Sequence, residues 1–400
     1  MGATATPLAS IFGSGFLVIV PILAGAVGPY SWLAMICVCG LAYAVGSVIR
    51  FNIRQTEPLL EAEKAPHRAV FFERTSDLAL VIAYAISVCL YIRILAAFLL
   101  GGLGIDTPIN EHIVTVAVIS IIGFVGYTKG LDMLQNLEKI ALGVTLIIIL
   151  ALLSGFAFYD LNTLKGTGIQ LPKMPDHNWW QILTIVGGTL IVVQGFETSR
   201  YLEEEFDTDT RIRSCRLSQI VSTGVYIVFI LLAIPLMHFL GKKVEDNALI
   251  MLAGKASVLL PVPLVIAAVL SQFSAAVADA IGGGGNMVEA TKQHVDDRHA
   301  YLLICGVAAI VAFFNTLTVL ALASRAFAFY YTLQCLVAFN VSKSPVQKFG
   351  IALVAAALVF ITLFAVPAGE DATINRFNAN NVWVGEVLHS KFFVPAKAAI

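Results

Sequence analysis

Gly13-Ser14-Gly15 and Gln194-Gly195-Phe196-Glu197 interrupt two apolar stretches of this 400-residue chain. Glycine weakens a helix and a carboxylate inside lipid is expensive, so neither segment is ordinary spanning material. An unwound turn at Gly13–Gly15 would expose backbone N–H groups and the positive end of the following half-helix, which suits an anionic group. The competing reading is close helix packing through small residues. Matching interruptions in two halves of a membrane protein point to a transporter's binding site. Gly13, Ser14, Gly15, Gln194, Gly195, Phe196 and Glu197 are therefore the candidate substrate-binding residues. Phe196 either lids the ligand or packs the core, and Glu197 either exchanges a proton or caps the broken helix.

Further charges fall inside apolar stretches or at their edges. Arg93, Asp279 and Arg325 would each cost about 2.5–3.5 kcal/mol at a helix centre, so they should face the interior and pair. Asp279 with Arg93 or Arg325 is the expected ion pair. Asp279 is also a candidate for coupling to an ion or proton, with the Ser271 and Ser274 hydroxyls one to two turns before it. Lys139, after Glu138 at the start of an apolar run, either reaches the interior or snorkels to the headgroups. Gly282–Gly285 lack the Lys-Ser/Thr and the preceding strand of a phosphate-cradling loop and read as a flexible helix end. The acidic run 203–205 reads as a solvated face near Arg211, Arg213 and Arg216. Six cysteines and seven histidines show no metal-ligand spacing, so no catalytic centre, cofactor or metal site is expected.

The elements that must hold these residues are dictated by composition. With 58% hydrophobic and 13% charged residues, the chain reads as an all-α polytopic membrane protein. A net charge of −1 argues against nucleic acid as a partner. The expected partners are the lipid bilayer, a small-molecule substrate and a coupling ion, H+ or Na+. Apolar runs at 4–27, 30–50, 77–103, 111–128, 134–158, 180–200, 217–240, 258–281, 299–314, 316–340 and 347–367 give about eleven transmembrane helices, the ninth the shortest. Lipid offers backbone groups no partner, so these runs must be helical. No basic leader with a cleavage site precedes the first run, which is expected to stay in the mature protein. Arg50, Arg54, Lys64, Arg68 and Arg74 in one loop, and Arg200, Arg211, Arg213 and Arg216 in another, place the N-terminus in the cytoplasm. The location is a cell membrane, plasma or bacterial inner. Five is odd, so residues 4–158 and 180–340 can form two oppositely oriented five-helix repeats, each opening with its interrupted helix. An additional helix at 347–367 and an extramembrane tail at 368–400 follow.

At these motifs the chain resembles the amino acid–polyamine–organocation (APC) superfamily, whose fold is the leucine-transporter-like five-plus-five inverted repeat with broken first and sixth helices. The resemblance rests on Ile11-Phe12-Gly13-Ser14-Gly15-Phe16 with Pro21, on Gly195-Phe196-Glu197 followed by Glu203-Glu204-Glu205 and Arg211, and on Asn136-Leu137-Glu138-Lys139-Ile140. It covers roughly residues 8–340. Eleven helices rather than twelve, and Asp279 before four glycines, suggest a divergent branch. The resemblance implies secondary active transport by alternating access of an amino acid or related amine, coupled to protons or working by exchange. It also implies that carbonyls freed at the two breaks receive an amino group, and that Lys139 projects toward the first and eighth helices in place of a sodium ion. The alternative is a sodium-coupled solute or inorganic cation transporter using Asp279, although the Asp-Pro-Gly-Asn motif of metal-carrying relatives is missing. A channel lacks a filter motif here, and a non-transporting sensor on the same fold is a further alternative.

Overall fold

Among the residues described by the computed structural model, every regular element is helical, as a lipid-embedded backbone requires. Those residues are 2–131, 136–166, 168–203, 205–241 and 244–368; the side chains of Ser14, Asn136, Leu137 and Glu138, and the expected tail beyond 368, fall outside them. The first stretch is α1 (Gly2–Ser14) and α2 (Phe16–Val27), parted at Gly15. Helix α3 (Ser31–Phe51) continues through a π-helical turn, Asn52–Thr56, into α4 (Glu57–Glu61). Next come α5 (His67–Leu103), α6 (Pro108–Lys129) and α7 (Asn136–Lys165).

The sixth stretch is broken more deeply. Helix α8 (Trp179–Gly187) gives way to a 3-10 turn at Leu190–Val193, an extended Gln194, and a second 3-10 segment, Phe196–Leu202. Helix α9 (Thr208–Ala233) follows, then an apolar helix too short to read as a span, α10 (Ala248–Ala256). The chain closes with α11 (Pro261–Ala290), α12 (Asp297–Val311), α13 (Thr316–Val341) and α14 (Pro345–Phe364).

Among the described residues, eight helices are long and apolar enough to cross a membrane. They differ from the eleven expected stretches where a helix is broken or short. The pieces of the first and sixth stretches are too brief singly, and α12 has 15 residues, under the roughly 20 that span hydrocarbon at 1.5 Å per residue. In their most apolar windows 89% of α5 but 17% of α14 is buried. Helix α5 is thus the central post, packed against α11 and α13, while α14 turns most of its surface outward as a lipid-facing helix does.

Candidate functional site

The two breaks meet. A Cβ placed on Gly15 would lie 2.5 Å from Cα of Val192, and one on Gly195 would lie 2.7 Å from the Ile11 backbone nitrogen and 2.5 Å from Ser10 Oγ. Each break therefore presses bare backbone against the other. Gly195 also takes φ +121°, which an L side chain rarely adopts. The Tyr226 hydroxyl of α9 is shared between carbonyl oxygens of both breaks, Ile11 at 3.1 Å and Val192 at 2.9 Å. Ser324 of α13 donates to Gly188 O at 2.7 Å and accepts from Ile191 N at 3.1 Å. Carbonyls and amides released by unwinding thus find side-chain partners from neighbouring helices.

Within the second break, Gln194 is buried, with its amide nitrogen 3.4 Å from the Tyr91 hydroxyl. Phe196 stacks on Tyr331, ring centroids 5.5 Å apart and planes 14° apart. Glu197 Oε2 accepts from Gly195 N at 2.9 Å and from the Tyr331 hydroxyl at 2.7 Å. That carboxylate is fully buried and holds the break to α13.

A cavity of about 690 Å³ opens beside this contact, within the range of small-ligand sites. Its walls come from α1 (Ala5 to Gly13), the start of α7 (Lys139 to Thr145), α11 (Ser271 to Asn286), Thr198 and Tyr201 of the second 3-10 segment, and Tyr84 of α5. Exposed Lys139 and Glu205 stand at the solvent end. Gly13 and Asp279 form the buried end. Across the break, Phe16 through Leu23 are buried without interruption, so the cavity lies on the α1 side of the contact.

Of the residues singled out by sequence, the cavity gathers Gly13, Lys139 and Asp279, together with Ser271, Ser274 and Tyr84. Gly15, Gln194, Gly195, Phe196 and Glu197 lie in the packed contact above it. Ser14 ends α1, and its side chain is outside the described residues, as is that of Glu138. The side chain of Asp279 accepts from the Ser87 hydroxyl of α5, which joins α5 to α11 at the bottom of the cavity.

The expected pairing of Asp279 with an arginine is corrected by geometry. Arg93 lies six residues beyond Ser87 on α5, about 9 Å along the helix. There it meets Glu111 at 3.8 Å, Thr316 Oγ1 at 3.1 Å and Ala312 O at 3.0 Å. Arg325 is exposed and donates to Thr362 O at 2.8 Å and Leu363 O at 3.4 Å, satisfying carbonyls at the end of α14.

Three features escape a reading of charge and glycine. Gln272 of α11 donates from Nε2 to Gly13 O, so a neutral amide meets the last turn of α1. Tyr226, noted above, bridges the breaks. The third is a buried charge cluster: Arg200 binds Glu57 Oε1 at 3.1 Å, Glu73 Oε1 at 2.8 Å and Gln334 Oε1 at 2.8 Å. Arg211 binds Glu57 Oε2 at 2.9 Å. An uncharged polar residue in an apolar helix gives no signal as loud as a charge. The cluster's partners are more than a hundred residues apart.

Comparison with known proteins places this geometry. Residues 1–366 match the family profile described as APC superfamily transporter. An uncharacterized protein of Aquifex aeolicus (strain VF5) is 38% identical over 368 residues, covering 90% of this chain and 89% of its own. Among solved structures, two mutants of the Eremococcus coleocola manganese transporter share the fold at TM-scores of 0.56 and 0.54. Each is 12% identical and covers 90% of this chain and 85% of its own.

Proposed function

The chain belongs to the APC superfamily of transporters, and on that premise we propose that it carries a small amine-bearing organic solute, an amino acid or related amine, by alternating access. The observation that supports this most is the one-sided cavity ending at a buried carboxylate, Asp279, beside a broken helix. An ammonium group is the natural counter-charge for Asp279, and the hydroxyls of Ser271 and Ser274 offer further acceptors. In this reading residues 4–158 and 180–340 are the two inverted repeats and the helix at 347–367 is additional. The N-terminus is cytoplasmic and the cavity faces inward. Asp279 couples solute movement to a proton or to exchange, with Glu197 as a second proton candidate. Lys139, at the solvent end, acts on entry rather than as an ion replacement.

A divalent or sodium cation is the second reading, favoured by the fold shared with a manganese transporter. Among the described residues no three His, Cys, Asp or Glu side chains come together as metal ligands. A cation would therefore rely on Asp279 with hydroxyls and carbonyls. Liposomes containing the protein decide between the readings. Labelled amino acids or aliphatic amines should accumulate under a proton gradient or by counterflow, and Asp279→Asn should reduce uptake at least tenfold. Lys139→Ala should change the rate less. Manganese uptake in the absence of any amine uptake would favour the second reading, as would a sodium requirement lost in Asp279→Asn.

A further inference from the structure

Gly285 lines more than the transport cavity. Beside the same stretch of α11, a second recess of about 380 Å³ is lined by Ile281 and Gly285, by Lys129 at the end of α6, and by Asp297, Arg298 and Tyr301 at the start of α12. Ile281 and Gly285 belong to both walls. A Cβ on Gly285 would meet nothing within 4 Å, whereas one on Gly284 would lie 2.6 Å from the Tyr301 ring. The glycines thus let α12 approach α11 closely while leaving the recess open at the next residue.

Elsewhere on α6 and α12, apolar side chains face outward. Phe124 and Ile121 on α6 are 67% and 58% exposed, and Leu303 on α12 is 51% exposed. Tyr127 of α6 meets His299 of α12 edge-on, ring centroids 5.6 Å apart, placing aromatic groups where apolar helix surface gives way to charge. Two cations from two different helices, Lys129 and Arg298, converge there. Basic recesses between helices at a membrane surface take lipid headgroups, and a guanidinium matches phosphate oxygens in pairs.

We propose that this recess binds the headgroup of an aminophospholipid, with Lys129 and Arg298 on the phosphodiester and Asp297 on the ammonium. The carboxylate is what selects the headgroup. It would oppose a purely anionic lipid but complements a zwitterionic phosphoethanolamine, whose two charges match the recess in sign. The acyl chains would run along the exposed apolar surface of α6 and α12. This site is separate from the transport function proposed above and does not depend on it.

Native mass spectrometry of the delipidated full chain, titrated with phosphatidylethanolamine, phosphatidylglycerol or soluble glycerophosphoethanolamine, tests it. Wild type should bind one phosphatidylethanolamine at least tenfold more tightly than the Lys129→Gln/Arg298→Gln double variant. It should also prefer that lipid over phosphatidylglycerol. Asp297→Asn should erase the preference without loss of phosphatidylglycerol binding. All three side chains are exposed, so the variants should fold, and an unchanged melting temperature checks this. Equal binding by the double variant, or equal affinity of wild type for the two lipids, would overturn the assignment. Soluble glycerophosphoethanolamine binding as tightly as the lipid would overturn the lipid as occupant.

Discussion

At Gly195 the backbone turns through φ +121° while lying within van der Waals reach of Ser10 and Ile11. Alanine there would add a conformational cost of about 1–3 kcal/mol to an overpacking cost of similar size. Gly195→Ala should therefore lower the melting temperature in detergent and abolish uptake. Gly143→Ala, on α7 where an added Cβ meets nothing within 4 Å, should change neither. Equal behaviour of the two variants would remove the packed break from the mechanism. Gly15 and Gly195 were legible in the sequence as breaks because glycine in an apolar run has a cost that needs a reason, whereas Gly13, singled out with them, stays helical in α1. Their division of labour was not legible. Gly13 reaches the cavity while Gly15 and Gly195 seal the contact above it, and that depends on Val192 and Ser10, ordinary residues brought there by the fold. The paired charges were misread for a related reason. Burial cost says that Arg93 and Arg325 need partners, but which partner is set by their level along the helix.

The broken sixth stretch is fixed at its lower end by charge. Arg200 and Arg211 share Glu57, which the π-helical turn after α3 delivers, and Arg200 also holds Glu73 of α5. Arg200, Arg211 and Glu57 are all less than a tenth exposed. Removing one member of such a set leaves buried charge uncompensated, at about 3–5 kcal/mol. Arg200→Gln should melt well below wild type, and a melting temperature equal to wild type would show the cluster to be dispensable. At the start of α12, Asp296 caps the helix by accepting from His299 N at 2.9 Å. The His299 backbone and ring N–H groups hold the Asp296 carboxyl below the usual aspartate range. A depressed carboxyl contributes stability above its unfolded pKa of about 3.9, and loses it as pH falls through the lower folded value. Hydrogen-exchange protection at the start of α12, corrected for intrinsic rates, should therefore decline at acid pH in wild type. In Asp296→Ala it should be low throughout, with no such step. Apolar runs located the helices well, yet α5 begins at His67 rather than at 77, because polar residues close helical hydrogen bonds as readily as apolar ones once outside lipid.

For the whole molecule, hydropathy marked an all-helical membrane protein and the order of the breaks, since the bilayer imposes helicity, but among the described residues eight helices rather than eleven are long enough to span. The cavity is a property of assembly. Its walls come from five separated segments, and α11 contributes through small residues that no periodicity marks. That cavity makes the proposed cycle testable. Sided labelling of Ala278→Cys, in a Cys37→Ser background, reads it directly. Ala278 lines the cavity, and among the six native cysteines Cys37 is the exposed one. Applied to oriented vesicles, a membrane-impermeant maleimide should label Ala278→Cys from the face that carries the start of α1, and a transported solute should slow the reaction. Labelling at equal rates from both faces, unaffected by any solute that the protein moves, would contradict alternating access around the paired breaks.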